Sequence, residues 1–119
     1  MILICDDNKT FLKIIKFYFN KYFPLEDLIT TDNQQEILDY IDIIKVKLII
    51  VDYMMPTIDG IELAKKIKAK DKNIKILLCS AFYNDTFVGY LKEDKKFIDD
   101  IIPKPLFVEE FKRKIKNYI

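Results

Sequence analysis

The sequence predicts a single α/β domain built on a five-stranded parallel sheet with helices on both faces. Three observations support this fold class. The chain has only 119 residues, short apolar runs alternate five times with amphipathic stretches, and the third and fourth runs lack the polar alternation of a half-exposed strand. Because domains usually contain about 100–150 residues, we expect one domain spanning residues 1–119.

Five short runs rich in Ile and Val are predicted to be strands, because polar residues or proline bound each of them. They are Ile2–Cys5, Leu28–Thr31, Val46–Val51, Ile74–Cys79 and Ile98–Ile102. The last run is followed by Pro103, which has no backbone N–H to donate, so this strand should lie at an edge of the sheet. With right-handed crossovers, that edge position favours the strand order 2-1-3-4-5 of a doubly wound, flavodoxin-like fold.

The segments between the strands have helical periodicity. They are about Asn8–Tyr22, Asn33–Ile44, Gly60–Ala69, Asn84–Lys95 and Leu106–Tyr118. Two apolar stripes are predicted to face the core. They consist of Phe11, Ile14, Ile15, Tyr18 and Tyr22 in the first helix, and of Leu106, Phe107, Phe111 and Ile115 in the last.

A second apolar set of the first helix lies beside its core stripe on the helical wheel. It consists of Leu12, Phe19 and Phe23. If these side chains are exposed, they form a docking surface for a partner protein. The alternative is that they widen the buried stripe, and the sequence leaves both interpretations open.

Composition excludes several classes of function. Twenty Lys+Arg against nineteen Asp+Glu give a net charge of +1, so no overall field attracts nucleic acid or an anionic membrane. The absence of His and the presence of only two Gly exclude imidazole catalysis and a glycine-rich phosphate loop. No stretch resembles a signal peptide or a membrane span. Cys5 and Cys79 are predicted to end strands too far apart for a disulfide, which indicates a reduced, cytoplasmic protein.

Polar residues follow four of the predicted strands. Asp6 and Asp7 follow the first strand, Asp52 the third, Ser80 the fourth and Lys104 the fifth. Each alone has an ordinary explanation as a helix cap, a turn residue or a solvated lysine. In the order 2-1-3-4-5, however, all of them meet in the crevice where parallel sheets bind ligands. Three carboxylates need a cation or raised pKa values, and oxygen-only ligands suit Mg²⁺. A carboxylate beside Mg²⁺, a lysine and a hydroxyl indicates phosphoryl transfer, with Asp as the nucleophile.

This ordered set resembles the receiver domain of two-component response regulators, and the resemblance covers the whole chain. It is carried by Asp6-Asp7, by the segment from Asp52 to Gly60, by Cys79-Ser80-Ala81 and by Lys104-Pro105. The resemblance implies a switch, not an enzyme, that a sensor histidine kinase or a phosphotransfer protein phosphorylates. Phosphorylation would change binding to a downstream protein or to an output domain outside this chain, without direct binding to nucleic acid or membrane.

The resemblance also implies a role for each residue of the crevice. Asp52 would be the phosphoacceptor, Asp7, Asp52 and the backbone carbonyl of Met54 would hold Mg²⁺, Asp6 would orient a metal-bound water, and Ser80 and Lys104 would contact the phosphoryl oxygens. The Lys104–Pro105 peptide bond is expected to be cis, a conformation natural to X–Pro bonds.

Two features depart from the family pattern. Many receivers carry an aromatic residue three positions before the lysine, where this chain has Ile101, so coupling from Ser80 to the surface of the fifth strand is expected to differ. The stretch Lys95–Phe97 replaces a small Gly-Ala pair and leaves the end of the fourth helix uncertain. At two positions from which side chains could orient hydrolytic water, this chain has the apolar residues Met54 and Phe82, which predicts slow loss of the phosphoryl group.

Three other functions share this architecture. A pseudo-receiver would bind partners without being phosphorylated, and Ile101 favours that interpretation while the intact acidic set opposes it. A Mg²⁺-dependent aspartyl phosphatase of the haloacid dehalogenase type would need Asp-x-Asp after the first strand, which Asp6-Asp7-Asn8 does not provide. A flavin-binding redox module would need a phosphate-binding loop there.

Overall fold

The computed structural model describes residues 1–119 and contains one five-stranded sheet. The strands are β1 (Ile2–Cys5), β2 (Leu28–Thr31), β3 (Leu48–Asp52), β4 (Lys75–Ser80) and β5 (Asp100–Pro103). The helices are α1 (Lys9–Tyr22), α2 (Gln34–Ile43), α3 (Gly60–Lys70), α4 (Asp85–Tyr90) and α5 (Val108–Tyr118), with a 3₁₀ turn at Asp94–Phe97. All neighbouring strands are parallel in the order β2-β1-β3-β4-β5, which confirms the predicted fold class and the edge position of β5. None of the helices is long and apolar enough to span a membrane.

The hydrophobic core has two main layers, one on each face of the sheet. On the first face, α1 and α5 pack against the sheet through Phe11, Ile15, Phe19, Phe111 and Ile115. On the second face, α2 and α3 pack against it through Ile37, Leu38, Leu63, Ala64 and Ile67. A smaller cluster beneath α4 contains Ile61, Leu78, Phe87, Leu91 and Ile101. Burial on both faces explains why the central strands are apolar throughout.

The two cysteines lie on opposite faces of the sheet. Cys5 belongs to the α2/α3 layer and Cys79 to the α1/α5 layer, and both thiols are free and buried. Burial raises the pKa of each thiol to about 12. The structure therefore confirms that these residues do not form a disulfide. Two features keep the thiols apart: β1 and β4 are not neighbours, and the two side chains lie on opposite faces of the sheet.

The limits of several elements differ from the prediction. β3, β4 and β5 each begin one or two residues later than expected, and each extends one residue further, so that Asp52 and Ser80 are the last residues of their strands. α5 begins at Val108 and not at Leu106, leaving Phe107 outside the helix and exposed.

The fourth helix is much shorter than the predicted Asn84–Lys95. α4 ends at Tyr90, and the 3₁₀ turn follows after a break. The carbonyl of Leu91 accepts the N–H groups of Asp94 and Lys95, and the Leu91 side chain is buried beneath α4. A glycine at position 89, in the last turn, lowers the helical stability of this segment. The chain therefore turns toward β5 where an uninterrupted helix was expected.

Of the two interpretations of Leu12, Phe19 and Phe23, the structure contradicts an exposed docking surface and supports a widened buried stripe. Phe19 is fully buried, and Leu12 and Phe23 pack against the same core layer. The buried face of α1 is rotated by a fraction of a turn from the predicted stripe, so that Phe19 is buried and Ile14 is 43% exposed. The physical reason is α5, whose Phe111 ring meets Phe19 edge-to-face at a centroid distance of 5.1 Å.

We predict that Phe19→Ala lowers the free energy of unfolding by about 3–5 kcal/mol, because it leaves a cavity between α1 and α5. Phe17→Ala is the matched control, since Phe17 is 60% exposed on the same helix. Urea denaturation monitored by circular dichroism measures both. Equal effects of the two substitutions would contradict the observed phase of α1.

Candidate functional site

The acidic residues are positioned where β1 and β3 end. One oxygen of the Asp6 carboxylate, Oδ1, accepts the backbone N–H of Asn8 at 2.8 Å, and the Asn8 side chain in turn accepts the N–H of Phe11 at 3.0 Å. Asn8 is thus the N-cap of α1. This turn directs the Asp6 side chain toward the sheet and leaves Asp7 exposed.

Three carboxylates meet at this edge of the sheet. Oxygens of Asp6, Asp7 and Asp52 lie within 4.8 Å of one another. Asp6 is 1% and Asp52 is 7% exposed, whereas Asp7 faces solvent. Because two of the three are buried, solvent screens their mutual repulsion only weakly.

A single ammonium group neutralises part of this charge. Lys104 Nζ lies 2.6 Å from Asp6 Oδ2 and 3.0 Å from Asp52 Oδ1. The lysine follows β5 and belongs to the Lys104–Pro105 bond, which is cis as expected. The ammonium therefore connects the ends of three strands, β1, β3 and β5.

The electrostatic balance is visible in the pKa values. Burial raises the pKa of Asp52, and the neighbouring Asp6 raises it further, although Lys104 opposes both effects. Burial by itself would lower the pKa of Lys104, but its hydrogen bonds to Asp6 and Asp52 outweigh burial and raise it. Lys104 therefore stays charged at neutral pH, whereas the surroundings of Asp52 disfavour its ionised form.

Ser80 is the last residue of β4 and is 1% exposed. Its carbonyl accepts the backbone N–H of Lys104 at 2.9 Å, which joins the ends of β4 and β5. Its hydroxyl oxygen accepts the backbone N–H of Phe82 at 3.0 Å. The structure thus places Ser80 next to Lys104 through the backbone, with the hydroxyl directed to its own loop and its proton available for donation.

The loop between β3 and α3 carries Met54 and depends on Gly60. The N–H of Gly60 donates to the carbonyl of Tyr53 at 2.8 Å, and Asp59 caps α3 by accepting the N–H of Glu62 at 2.9 Å. A Cβ atom at position 60 would lie 2.6 Å from the carbonyl oxygen of Asp52. Only glycine permits this approach, which closes the loop directly behind the candidate nucleophile.

Phe11 is a feature of the site that sequence reasoning assigned only to the core. Its ring lies 4.3 Å from Lys104 Nζ, within the range of a cation–π contact. The sequence offered a signal, since an aromatic residue one helical turn after the acidic pair points back toward the start of α1. The ring thus lies beside the ammonium that bonds both carboxylates.

The donor set fits a hard divalent cation. It consists of oxygen atoms, with carboxylates close enough to share one ion and an exposed Asp7 that leaves room for water. Cys5 and Cys79 do not compete as soft ligands, because both thiols are buried and protonated. A divalent metal at this pocket is therefore consistent with the chemistry of the residues present.

Comparison with known proteins identifies the family. The family model for the response regulator receiver domain matches residues 2–116, and the chain belongs to this family. Sporulation initiation phosphotransferase F of Bacillus subtilis (strain 168) is 28% identical over 120 residues, covering 99% of this chain and 92% of that protein. The chemotaxis protein CheY of Listeria monocytogenes is 32% identical over 104 residues, covering 87% of this chain and 85% of that protein.

Solved structures have the same architecture. The response regulator TrrA of Thermotoga maritima, in complex with Mg²⁺ and beryllofluoride, is 27% identical and superposes with a TM-score of 0.84, covering 99% of this chain and 97% of that one. The BeF₃-activated receiver domain of DrrB is 24% identical with a TM-score of 0.81, covering 98% and 94%, and shows the likeness of fold. Receiver domains are phosphorylated by histidine kinases or phosphotransfer proteins and are generally phosphoacceptors rather than enzymes.

We predict that Asp52→Asn stabilises the metal-free protein at pH 7. The pKa of Asp52 is raised on folding, so its ionisation destabilises the folded state as pH rises above the ordinary carboxyl range. The gain from Asn should therefore shrink as pH falls and disappear below about pH 4, where the carboxyl is protonated in both states. Thermal unfolding in EDTA measures the difference, with the exposed Asp27→Asn as control. A wild type as stable as Asp52→Asn at pH 7 would contradict the electrostatic description.

Proposed function

We propose that the chain is a Mg²⁺-dependent phosphoacceptor switch in a two-component phosphorelay, with Asp52 as the phosphorylated residue. The observation that carries the proposal is the Lys104 ammonium, which lies within hydrogen-bond distance of both Asp6 and Asp52 in a crevice of three carboxylates. An arrangement built only for stability would not concentrate three acidic groups at the end of a buried sheet. The proposed unit is one receiver domain over residues 1–119, acting in the cytoplasm.

The chemistry is an in-line transfer from a phosphohistidine of the kinase or phosphotransfer protein. Lys104 holds Oδ1 of Asp52, which leaves Oδ2 as the attacking atom. The Oδ2–P bond forms while the P–N bond of the phosphohistidine breaks, and the electron pair of that bond returns to the imidazole nitrogen. The product is an acyl phosphate on Asp52.

Residues around Asp52 offset the charge that moves during transfer. Lys104 can follow the incoming phosphoryl oxygens without leaving Asp6, which it contacts at the shorter distance of 2.6 Å. The Ser80 hydroxyl, whose oxygen already accepts the N–H of Phe82, has its proton free to donate to a phosphoryl oxygen. Ser80 is carried by the end of β4, and Lys104 by the segment that follows β5.

The metal ligands of the proposal are Asp7, Asp52 and the backbone carbonyl of Met54. When bound, Mg²⁺ would neutralise charge on the transferring oxygens. Asp6 is assigned an indirect role through a bound water, since its two oxygens already accept Asn8 N–H and the Lys104 ammonium. Asp7, which is exposed, is the carboxylate best able to bind a cation that arrives from solvent.

A pseudo-receiver is the second candidate function, and one observation favours it. Ile101 is 7% exposed and packs in the cluster beneath α4, so no aromatic ring is available at this position to change its orientation on phosphorylation. Such a protein would bind a partner through the same surfaces without forming an acyl phosphate. Phosphorylation chemistry separates the two functions directly.

We predict that acetyl phosphate and Mg²⁺ add one phosphoryl group, an increase of about 80 Da for an acyl phosphate, and that Asp52→Asn abolishes it. Asp7→Asn should require more Mg²⁺ for the same yield, because it removes one of few protein ligands. Intact-mass spectrometry at several Mg²⁺ concentrations measures both effects. Asp85→Asn, in the first turn of α4, is the control and should behave as wild type.

Two outcomes would contradict the proposal. An unchanged adduct in Asp52→Asn would show that another residue is the acceptor. No adduct on the wild-type protein, either with acetyl phosphate or with a set of phosphorylated histidine kinases and phosphotransfer domains, would favour the pseudo-receiver.

We further predict that the acyl phosphate is lost slowly. Met54 is 59% and Phe82 is 54% exposed, and neither side chain has an acceptor able to orient water for in-line attack on phosphorus. Met54→Asn and Phe82→Glu should each shorten the lifetime, since a polar group at either position can hold that water. A decay time course by intact-mass spectrometry, with Tyr90→Asn as an exposed control, tests this. Equal lifetimes in all four proteins would show that these positions do not govern hydrolysis.

A further inference from the structure

Ile101 has no ring whose rotation could transmit a signal from the phosphorylation site, but its backbone is hydrogen-bonded to α5. Its side chain is buried among Ile61, Leu78 and Phe87. Its carbonyl, on the outer edge of β5, accepts a hydrogen bond from Lys114 Nζ. The structure thus has a lysine that reaches β5 from α5 at the position where many receivers carry an aromatic residue.

Lys114 is the only buried lysine of the chain, with 5% exposure. Besides the Ile101 carbonyl, its ammonium lies 3.5 Å from Asp100 Oδ1 and 5.2 Å from the ring centre of Tyr83. A buried ammonium needs such partners, because desolvation is otherwise unfavourable. Of these partners Tyr83 alone comes from the loop that follows Ser80, so Lys114 connects that loop to the β5 edge.

The loop carrying Tyr83 is fastened at both ends. At one end the N–H of Phe82 donates to Ser80 Oγ at 3.0 Å. At the other end Asn84 caps α4 by accepting the N–H of Phe87 at 2.8 Å. Tyr83 lies between these two bonds and is 43% exposed. A displacement of Ser80 Oγ toward a phosphoryl group on Asp52 would weaken the first bond and move Tyr83 relative to Lys114.

Tyr83 also forms a wall of a groove between α4 and β5. The groove has a volume of about 350 Å³, and its other lining residues include Val88, Ile98, Asp99 and Ile101. The position of the Tyr83 ring therefore sets the shape of a surface that lies outside the acidic crevice. A change in the Tyr83–Lys114 contact would alter that surface.

We infer that Tyr83, stacked on Lys114, is the positioning residue through which phosphorylation of Asp52 reaches the groove between α4 and β5. It acts in place of the aromatic side chain that Ile101 replaces. This inference rests on the phosphoacceptor function proposed above, because the displacement of Ser80 requires a phosphoryl group on Asp52. The contact is retained while Ser80 Oγ holds Phe82, and it is released or rearranged when the hydroxyl turns to the phosphoryl oxygens.

The test uses the complete chain with Mg²⁺ and beryllofluoride as the phosphoryl mimic, and measures backbone amide shifts by NMR. In wild type, amides at the site (Asp7, Ser80) and at the groove (Val88, Ile101) should both respond. In Tyr83→Leu the amide shift changes at the site should equal those of wild type. The shift changes at the groove should fall about fivefold, which is the change in a conformational equilibrium expected from the loss of such a cation–π contact.

Two further variants separate coupling from general structural damage. Tyr83→Phe keeps the ring over Lys114 and should restore the groove response. Tyr90→Leu removes a more exposed tyrosine, 76% exposed, from the neighbouring helix and should leave both responses unchanged. A structural defect alone would not be repaired by a ring that lacks only the hydroxyl.

The outcomes distinguish this inference from the function on which it rests. If the wild-type site amides do not respond to Mg²⁺ and beryllofluoride, both the phosphoacceptor function and the role of Tyr83 are wrong. If the site responds but the groove does not, or if the groove responds equally in wild type and Tyr83→Leu, only the role of Tyr83 is wrong. A loss of groove response in Tyr83→Phe equal to that in Tyr83→Leu would also overturn it.

Discussion

The electrostatic contact between one ammonium and two buried carboxylates is the interaction on which the rest of this site depends. Asp6 and Asp52 are too close and too well buried to be ionised together without a cation. Lys104 supplies that cation from a third strand. The site therefore exists only if β1, β3 and β5 end at the same edge of the sheet, and β4 must lie between β3 and β5 to give Lys104 the correct reach.

The packing of the sheet directs polar chemistry to this edge. Both faces of the central strands are covered by helices, so a polar side chain has no place along their length. Polar residues are accommodated where the strands end and the backbone turns, and Gly60 lets the loop after β3 close against the Asp52 backbone. The outer edge of β5 is closed differently. The carbonyls of Asp99 and Ile101 accept bonds from Tyr118 and Lys114. That edge is thereby protected from pairing with another strand.

The strand order and the composition of the crevice could be predicted because both follow from local signals. Pro103 marked an edge strand, and Asp6, Asp52 and Ser80 each directly follow an apolar run. The phase of α1 could not be predicted, since Tyr18, Phe19 and Tyr22 are all large and apolar enough for a core, and only the position of Phe111 on α5 selects Phe19. The break after α4 was missed because Leu91 continues the helical pattern in sequence, while in the structure it is buried at a turn.

Lys114 shows most clearly where sequence periodicity fails. On a helix with charged residues at many positions, a lysine is expected to face solvent. Here a backbone carbonyl of the edge strand, together with Asp100 and the Tyr83 ring, makes its burial favourable. Lys104, which follows β5, bonds the two carboxylates, whereas Lys114 of α5 bonds the carbonyl of Ile101. The backbone bond from Lys104 to Ser80 joins the ends of β4 and β5. In the proposed switch, a change in charge at Asp52 would act first on the segment after Ser80. In that segment the N–H of Phe82 donates to Ser80 Oγ, and Asn84 caps α4. Because hydrogen bonds hold both ends of this segment, we expect a displacement to be largest at Tyr83 between them, which would allow a switch with an aliphatic residue at position 101.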